Sequence, residues 1–511
     1  MPDQTGLTES GPAAGGALVG IDAGTSGVKI GVFRRDGMLI ARASRPVPLL
    51  TPHPRWAELD LERYWAAVAE ALAEVLQASG PVAGIGLATT CPTTVLMDEK
   101  GRALRPGITF LDNRAADDVV AIGEAVGSPE MFFRQTGNRL SPSTCSAGNL
   151  RWLMREEPDV WRRAAHIGFL NSYLAGRLTG AVAVDWTQAS YSGLFDLRAP
   201  ETWSTRLVAA LGIPENMLPA VIPPFGRAGF VTPEGATGTG LAPGTPVAIG
   251  SADTAAAAFA LGVEAAGQCF ESAGTSGVLT FCLDRPDFDE AFLNRCHVVP
   301  GCWLAHGAMS TPGAAVEWLR EKIWPDLTCH ADLERLAAES EPGAHGLIFL
   351  PYMAGERSPI WDASASGAWV GLRLDTTRAD LARAVFEGAA YGLRQVLERA
   401  ERRWGWRPQR MLAVGGGARS RFWLQIKADV SNLEYHPTEL PDAAALGAAM
   451  MGGIAAGVYT GVDDPALPKI RTEAEPILPG PALARQPYGK AFRVYDALYP
   501  ALREAMHELA R

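Results

Sequence analysis

The hexapeptide Ala-Gly-Thr-Ser-Gly-Val stands at Ala23–Val28 and again at Ala273–Val278, about half a chain apart. Each copy is a Gly-rich turn bearing Thr-Ser, with an apolar stretch beside it. Turns of this kind present backbone N–H groups and small hydroxyls to an anion. Taken singly, such a match reads equally well as an ordinary β-turn. Its recurrence implies a duplicated fold able to grip a polyphosphate from two sides.

Around the first copy, Ala17–Asp22 reads as an apolar strand ending in an acid, and Val28–Arg34 alternates like a second strand. Arg35-Asp36-Gly37 is a hairpin turn leading to Met38–Ala43. The loop thus joins two strands. A nucleotide-binding P-loop would lead from strand to helix, and its GxxxxGK[ST] pattern is absent. The second copy restarts the strand–loop–strand pattern at Gln268–Ala273, which places a domain boundary in Leu261–Gly267. Helical periodicity marks Leu61–Ala78, with Asp60 as N-cap, and about Asp380–Trp404. Val82–Ala88, Thr93–Met97, Val247–Gly250 and Met411–Val414 read as strands. Ser251-Ala252-Asp253 follows Val247–Gly250 and precedes a helix from Thr254, and Gly415-Gly416-Gly417 follows Met411–Val414.

The chain has 511 residues, enough for about two to four domains. With 47% hydrophobic and 20% charged residues it has the composition of a soluble globular protein. A net charge of −10 gives a nucleic-acid partner no electrostatic support. The seven cysteines form no CxxC pair and no zinc-type array, which suits reduced thiols in a cytoplasmic protein. Residues 1–16 read as a disordered leader rather than a signal peptide. Ala443–Val462 is nearly uncharged, but its Ala, Gly and Met content favours a helix packed closely on neighbouring backbone over a membrane span. No membrane partner is expected.

Further motifs give the repeat a setting. Gly367-Ala-Trp-Val-Gly371-Leu372, followed by Asp380-Leu381-Ala-Arg-Ala384-Val385-Phe386-Glu387, resembles the C-terminal signature of the FGGY family of carbohydrate kinases. Gly20-Ile-Asp22-Ala-Gly24-Thr25-Ser26, the Ser272–Gly277 loop, Gly355-Glu356-Arg357-Ser358-Pro359 and Gly415–Ser420 agree in order. One departure is Asn149 before Leu150-Arg-Trp152, where the family usually has Lys. The resemblance implies an α/β fold of two actin-like (ribonuclease-H-like) domains with the active site in the cleft between them. It assigns residues 17–262 to an N-terminal domain carrying sugar and catalytic groups, and 263–465 to a C-terminal nucleotide domain. The tail, 466–511, with a helical stretch in Pro487–Arg511, is expected to pack on the second domain.

By the same resemblance Asp253 is the general base that accepts the sugar hydroxyl proton, although an Asp before a helix also reads as an N-cap. Asp22 would hold Mg²⁺, with a strand-terminating turn acid as the plain alternative. Thr25 and Ser26 would touch the transferred phosphate, and Gly274, Thr275 and Ser276 the β/γ-phosphates of ATP. Gly415, Gly416, Gly417 and Ala418 suit the adenosine and α-phosphate side. Phe110-Leu-Asp112-Asn-Arg114 resembles the family's Trp-x-Asp-x-Arg segment, whose Asp meets sugar hydroxyls. Thr90 and Cys91 lie in the family's specificity loop, and Trp56 could wall the sugar. The loop lacks the charged pair of glycerol kinases and the Met-His of xylulokinases. The expected reaction is ATP-dependent phosphorylation of a small sugar, a ketopentose ahead of a four- or five-carbon polyol. A non-catalytic actin-like nucleotide sensor is the rival class. A homodimer is compatible with the sequence.

Overall fold

The computed structural model describes residues 15–438, 442–470 and 475–510. The leader therefore lies outside the described residues as far as residue 14. The first hexapeptide joins two antiparallel strands, β1 (Ala17–Gly24) and β2 (Gly27–Phe33), with Asp22 opposite Lys29 and Gly24 opposite Gly27. β3 (Leu39–Pro46) continues the meander. Asp60 caps α1 (Leu61–Val75) as its spacing predicts, accepting the Arg63 N–H at 3.0 Å. The helix then buries Leu61, Tyr64, Val68 and Leu72 in the core beneath the sheet. β4 (Val82–Thr89) runs parallel to β1. β5 (Arg227–Phe230), β6 (Pro246–Ala248) and β7 (Ser251–Ala252) complete the sheet, whose order is β5-β6-β4-β1-β2-β3 with β7 also beside β4. From β7 the chain enters α2 (Asp253–Ala260).

The second half repeats this plan. β8 (Cys269–Ala273) and β9 (Gly277–Leu283) form the hairpin around the second hexapeptide. β10 (Leu293–Cys296) and β11 (Trp303–Met309) extend the antiparallel side. The long α3 (Arg378–Trp404) then crosses to β12 (Arg410–Val414), which lies parallel to β8, and α4 (Arg421–Ser431) leads to the parallel β13 (Glu434–Pro437). In each lobe the strand carrying the hexapeptide is flanked by its hairpin partner on one side and a parallel strand on the other.

The uncharged stretch after residue 442 is α5 (Ala443–Ala455), too short to span a bilayer. No helix among the described residues is long and apolar enough to cross a membrane. Its small residues have a packing reason. A Cβ on Gly20 would stand 1.8 Å from the Ala445 carbonyl oxygen, and one on Gly86 1.8 Å from that of Ala448. Gly447 of the helix approaches the Ala256 carbonyl just as closely, at 2.0 Å. A helix contributed by the second half of the chain thus lies in backbone contact with β1, β4 and α2 of the first. The C-terminal α6 (Gln486–Leu509) packs on α3 and α4, with Tyr488, Phe492 and Tyr495 buried.

Candidate active site

The ends of β1, β4 and β7 meet at one edge of the first sheet, where Ala23 pairs with Thr89 and Thr89 with Ala252. This register sets Asp22, Thr90 and Asp253 together. Thr90 donates its N–H to the Ala23 carbonyl, and its Oγ1 lies 2.9 Å from Thr25 Oγ1. The loop between β1 and β2 is held from below by the buried Tyr64 hydroxyl, which donates to the Gly24 and Gly27 carbonyls at 2.7 and 3.0 Å. Ser26 is exposed at the tip of that loop.

Asp253 is the first residue of α2 rather than its cap. Two devices fix it. Gly250 turns with φ +77°, and a Cβ there would meet the Leu87 carbonyl oxygen at 1.9 Å. The Thr187 hydroxyl accepts the Ala252 N–H at 2.8 Å while donating to the buried Asp185 carboxylate. Asp185, which also accepts from Asn171, is pushed up to about 7, chiefly by burial. Asp253 Oδ1 accepts from the Thr254 N–H and hydroxyl at 2.6 and 2.9 Å, and Oδ2 has no hydrogen-bond partner among the described residues. One carboxylate oxygen is anchored and the other is left without a protein donor among the described residues.

Burial, then the nearby Asp253 charge, pushes Asp22 up to about 7, with Lys29 pulling the other way and Asp442 adding to the rise. Asp442 immediately precedes α5, so acids from both halves of the chain act on the Asp22 carboxyl. Among the described residues no cluster of three or more metal-type ligands stands ready-made. Mg²⁺ keeps most of its waters and takes one or two carboxylates, and Asp22 is the carboxylate that would supply one.

In the second lobe a cavity of about 750 Å³ opens beside the repeat. Gly274, Thr275, Gly416 and Gly417 line it, with Phe386 and Trp423 as apolar walls. Ser276 closes the tight turn, its carbonyl accepting the Gly274 N–H at 2.9 Å. The glycines divide into two kinds. A Cβ on Gly313 would lie 2.0 Å from the Gly274 carbonyl oxygen, and one on Gly415, where φ is +91°, 2.6 Å from that of Ala273. These are close backbone approaches, and Ala418 is buried just behind them. Gly416, in contrast, faces open space, and a methyl group there would meet nothing within 4 Å. Gly416→Val should therefore fold normally yet intrude on the cavity, raising the KM for ATP by roughly tenfold or more, the effect of about 1.4 kcal/mol of lost binding. Unaltered ATP kinetics in this variant would remove the nucleotide from this cavity.

On the sugar side, Asp112 and Trp56 are engaged by protein partners. Asp112 is fully buried and its carboxylate is saturated. It accepts the Ala57 N–H at 2.6 Å, the Arg114 N–H at 2.9 Å, and the Arg114 guanidinium through Nε and Nη2 at 2.9 and 2.7 Å. No lone pair remains for a sugar hydroxyl, so Asp112 ties the 55–57 and 110–114 segments together. Trp56 belongs to the same assembly. The Arg114 guanidinium lies 3.7 Å over its ring, and His53 and Trp152 meet it edgewise. Asn149, at the family's Lys position, donates to Thr94 Oγ1 at 3.1 Å and so keeps a buried polar contact. Cys91 lies in the field of Arg295, Asp185 and Asp253, and burial pushes its thiol up to about 12.

Sequence reasoning missed the polar groups that gather there. Gln188 donates to Thr89, while its Oε1 is buried without a hydrogen bond among the described residues. Tyr191 Oη is likewise orphaned, as are Nε and Nη1 of Arg295. Gln188 lies in a one-turn helix (Trp186–Ala189) with Tyr191 just after it, and Arg295 lies on the edge strand β10, neither of which carried a recognised motif.

Two repeated lobes, a phosphate-type loop in each and a free carboxylate at the junction define the class: a two-domain actin-like phosphotransferase. Comparison with known proteins gives the family. The N-terminal domain model of the FGGY family of carbohydrate kinases matches residues 17–260, and its C-terminal domain model matches 269–456, so the chain belongs to that family. It is a sugar kinase. The chain is 31% identical to the xylulose kinase of Escherichia coli (strain K12) over 95% of this chain and 99% of that one. It is 26% identical to the gluconokinase of Bacillus subtilis (strain 168), over 87% of this chain and 89% of that one. The crystal structure of xylulose kinase from Rhodospirillum rubrum superposes with a TM-score of 0.88 at 34% identity, covering 96% of this chain and all of that one.

Proposed function

We propose that the protein transfers the γ-phosphoryl group of ATP to a hydroxyl of xylulose or a closely related ketopentose, with Asp253 as general base. The observation that carries this reading is the open Oδ2 of an otherwise anchored Asp253, beside Asp22 and the Thr25–Thr90 pair. The similarity to xylulose kinases over nearly the whole chain supports the ketopentose. The second-lobe cavity takes the nucleotide, and Gly274 and Thr275 meet its phosphates. Thr25 and Ser26 meet the transferred group. Mg²⁺, held through Asp22, neutralises charge on the phosphates when bound. A panel of ketopentoses and pentitols in a coupled ADP-release assay tests the substrate. Highest kcat/KM for a ketopentose is expected, and a pentitol turned over equally well would displace it.

The raised Asp22 carboxyl predicts a pH dependence. Protonated below about 7, it must lose a proton to take the metal, so Mg²⁺ affinity should fall as pH drops. Below that point the expected loss is about tenfold per pH unit, with a plateau above. Calorimetric titration with Mg²⁺ across this range checks it, and a flat profile would move the metal away from Asp22.

A further inference from the structure

Arg295 is a buried cation with no carboxylate in salt-bridge range among the described residues. It projects from β10, the edge strand of the second lobe, where that strand docks on the first: the Cys296 N–H donates to Ser190 Oγ at 3.0 Å, and Trp186 Nε1 to the His297 carbonyl at 2.6 Å. The residue is 4% exposed, and its Nε and Nη1 find no hydrogen-bond partner among the described residues. Its guanidinium lies 4.3 Å over the Tyr191 ring. The groups in its field are first the Tyr191 hydroxyl, then the Cys91 thiol and the Asp253 carboxylate, with Asp185 behind them. A guanidinium buried with donors unsatisfied is costly unless a ligand completes it.

Asp253 and Arg295 thus stand as opposite charges in one field. Asp253 offers an acceptor, suited to the hydroxyl that loses its proton. Arg295 offers only donors, suited to an oxygen that can only accept. A ketose carbonyl or a sugar-acid carboxylate is such an oxygen, whereas every oxygen of a polyol carries a proton of its own that also needs an acceptor. We propose that Arg295 is a specificity-determining substrate contact that recognises an acceptor-only oxygen and so discriminates against polyols of equal length. This rests on the reading of the cleft beside Asp253 as the sugar site.

The test uses three probes on one carbon skeleton, xylulose, xylitol and xylonate, with wild type, Arg295→Met and Arg295→Lys. Turnover and calorimetric binding are measured for each. Wild type should prefer xylulose or xylonate over xylitol, and Arg295→Met should lose roughly 10- to 150-fold in kcat/KM or affinity for the preferred probe. Its loss for xylitol should be clearly smaller, because a hydroxyl oxygen there accepts from Arg295 while its own proton is left needing an acceptor. Loss confined to xylulose identifies the carbonyl as the partner, and loss confined to xylonate the carboxylate. If Arg295→Met does not fold, Arg295→Lys carries the test, because it keeps the charge but not the planar donors. An unchanged preference, or equal loss on all three probes, overturns the proposal. Binding without turnover of any probe would instead overturn the kinase substrate reading while leaving the Arg295 comparison readable, and absence of both overturns the two together.

Discussion

Asp253→Asn is expected to lower kcat by at least about 10²-fold, the scale of a lost general base, while the KM for ATP stays nearly unchanged. The substitution is nearly isosteric and keeps an oxygen to accept from the Thr254 N–H and hydroxyl, the contacts that now anchor Oδ1. Gly250 and the Asp185–Thr187–Ala252 chain of hydrogen bonds are untouched, so the backbone entering α2 should hold its path. Only the open oxygen changes, from a proton acceptor to an amide that cannot take a proton. Steady-state kinetics with an unaltered melting profile would carry the assignment. Near wild-type turnover would refute it.

Gly86→Val should be the most damaging substitution outside the chemistry. Its Cβ would fall 1.8 Å from the Ala448 carbonyl oxygen, so β4 and α5 must separate. Overpacking of a tight core typically costs about 1–3 kcal/mol, and more when the obstacle is backbone. A loss at the upper end of that range or beyond is expected here, seen as a lowered denaturant midpoint. Because α5 comes from the second half of the chain and β4 from the first, the variant should also lose activity in the fraction that folds. A stability within about 0.5 kcal/mol of wild type would mean that this contact is not formed in solution.

Much of this arrangement was legible in the sequence, for identifiable reasons. The two hexapeptides proved to be hairpin loops between antiparallel strands, because Gly24, Gly27 and Gly277 punctuate otherwise alternating apolar runs. Thr93–Met97 matches its strand residue for residue, and the Asp60 cap marks the start of α1. The glycine-rich stretch after residue 442 read as a close-packing helix because only Ala and Gly permit backbone contact, as Gly447 and Gly20 show. The sugar side was less legible. Asp112 carries a motif, but a motif does not say whether a carboxylate faces a ligand or a neighbouring guanidinium, and Arg114, two residues on, takes both of its oxygens. Arg295 was missed for the opposite reason. It stands on an edge strand, and its stacking on Tyr191 depends on the docking of two lobes far apart in sequence.

Phosphoryl transfer to the sugar, rather than ATP hydrolysis alone, is tested most directly by quantifying ADP and sugar phosphate in the same reaction with xylulose. ADP should form only when the sugar is present, with one equivalent of xylulose phosphate for each ADP, and both products should disappear together in Asp253→Asn. ADP released without sugar phosphate, or at the same rate with no sugar added, would contradict the assignment.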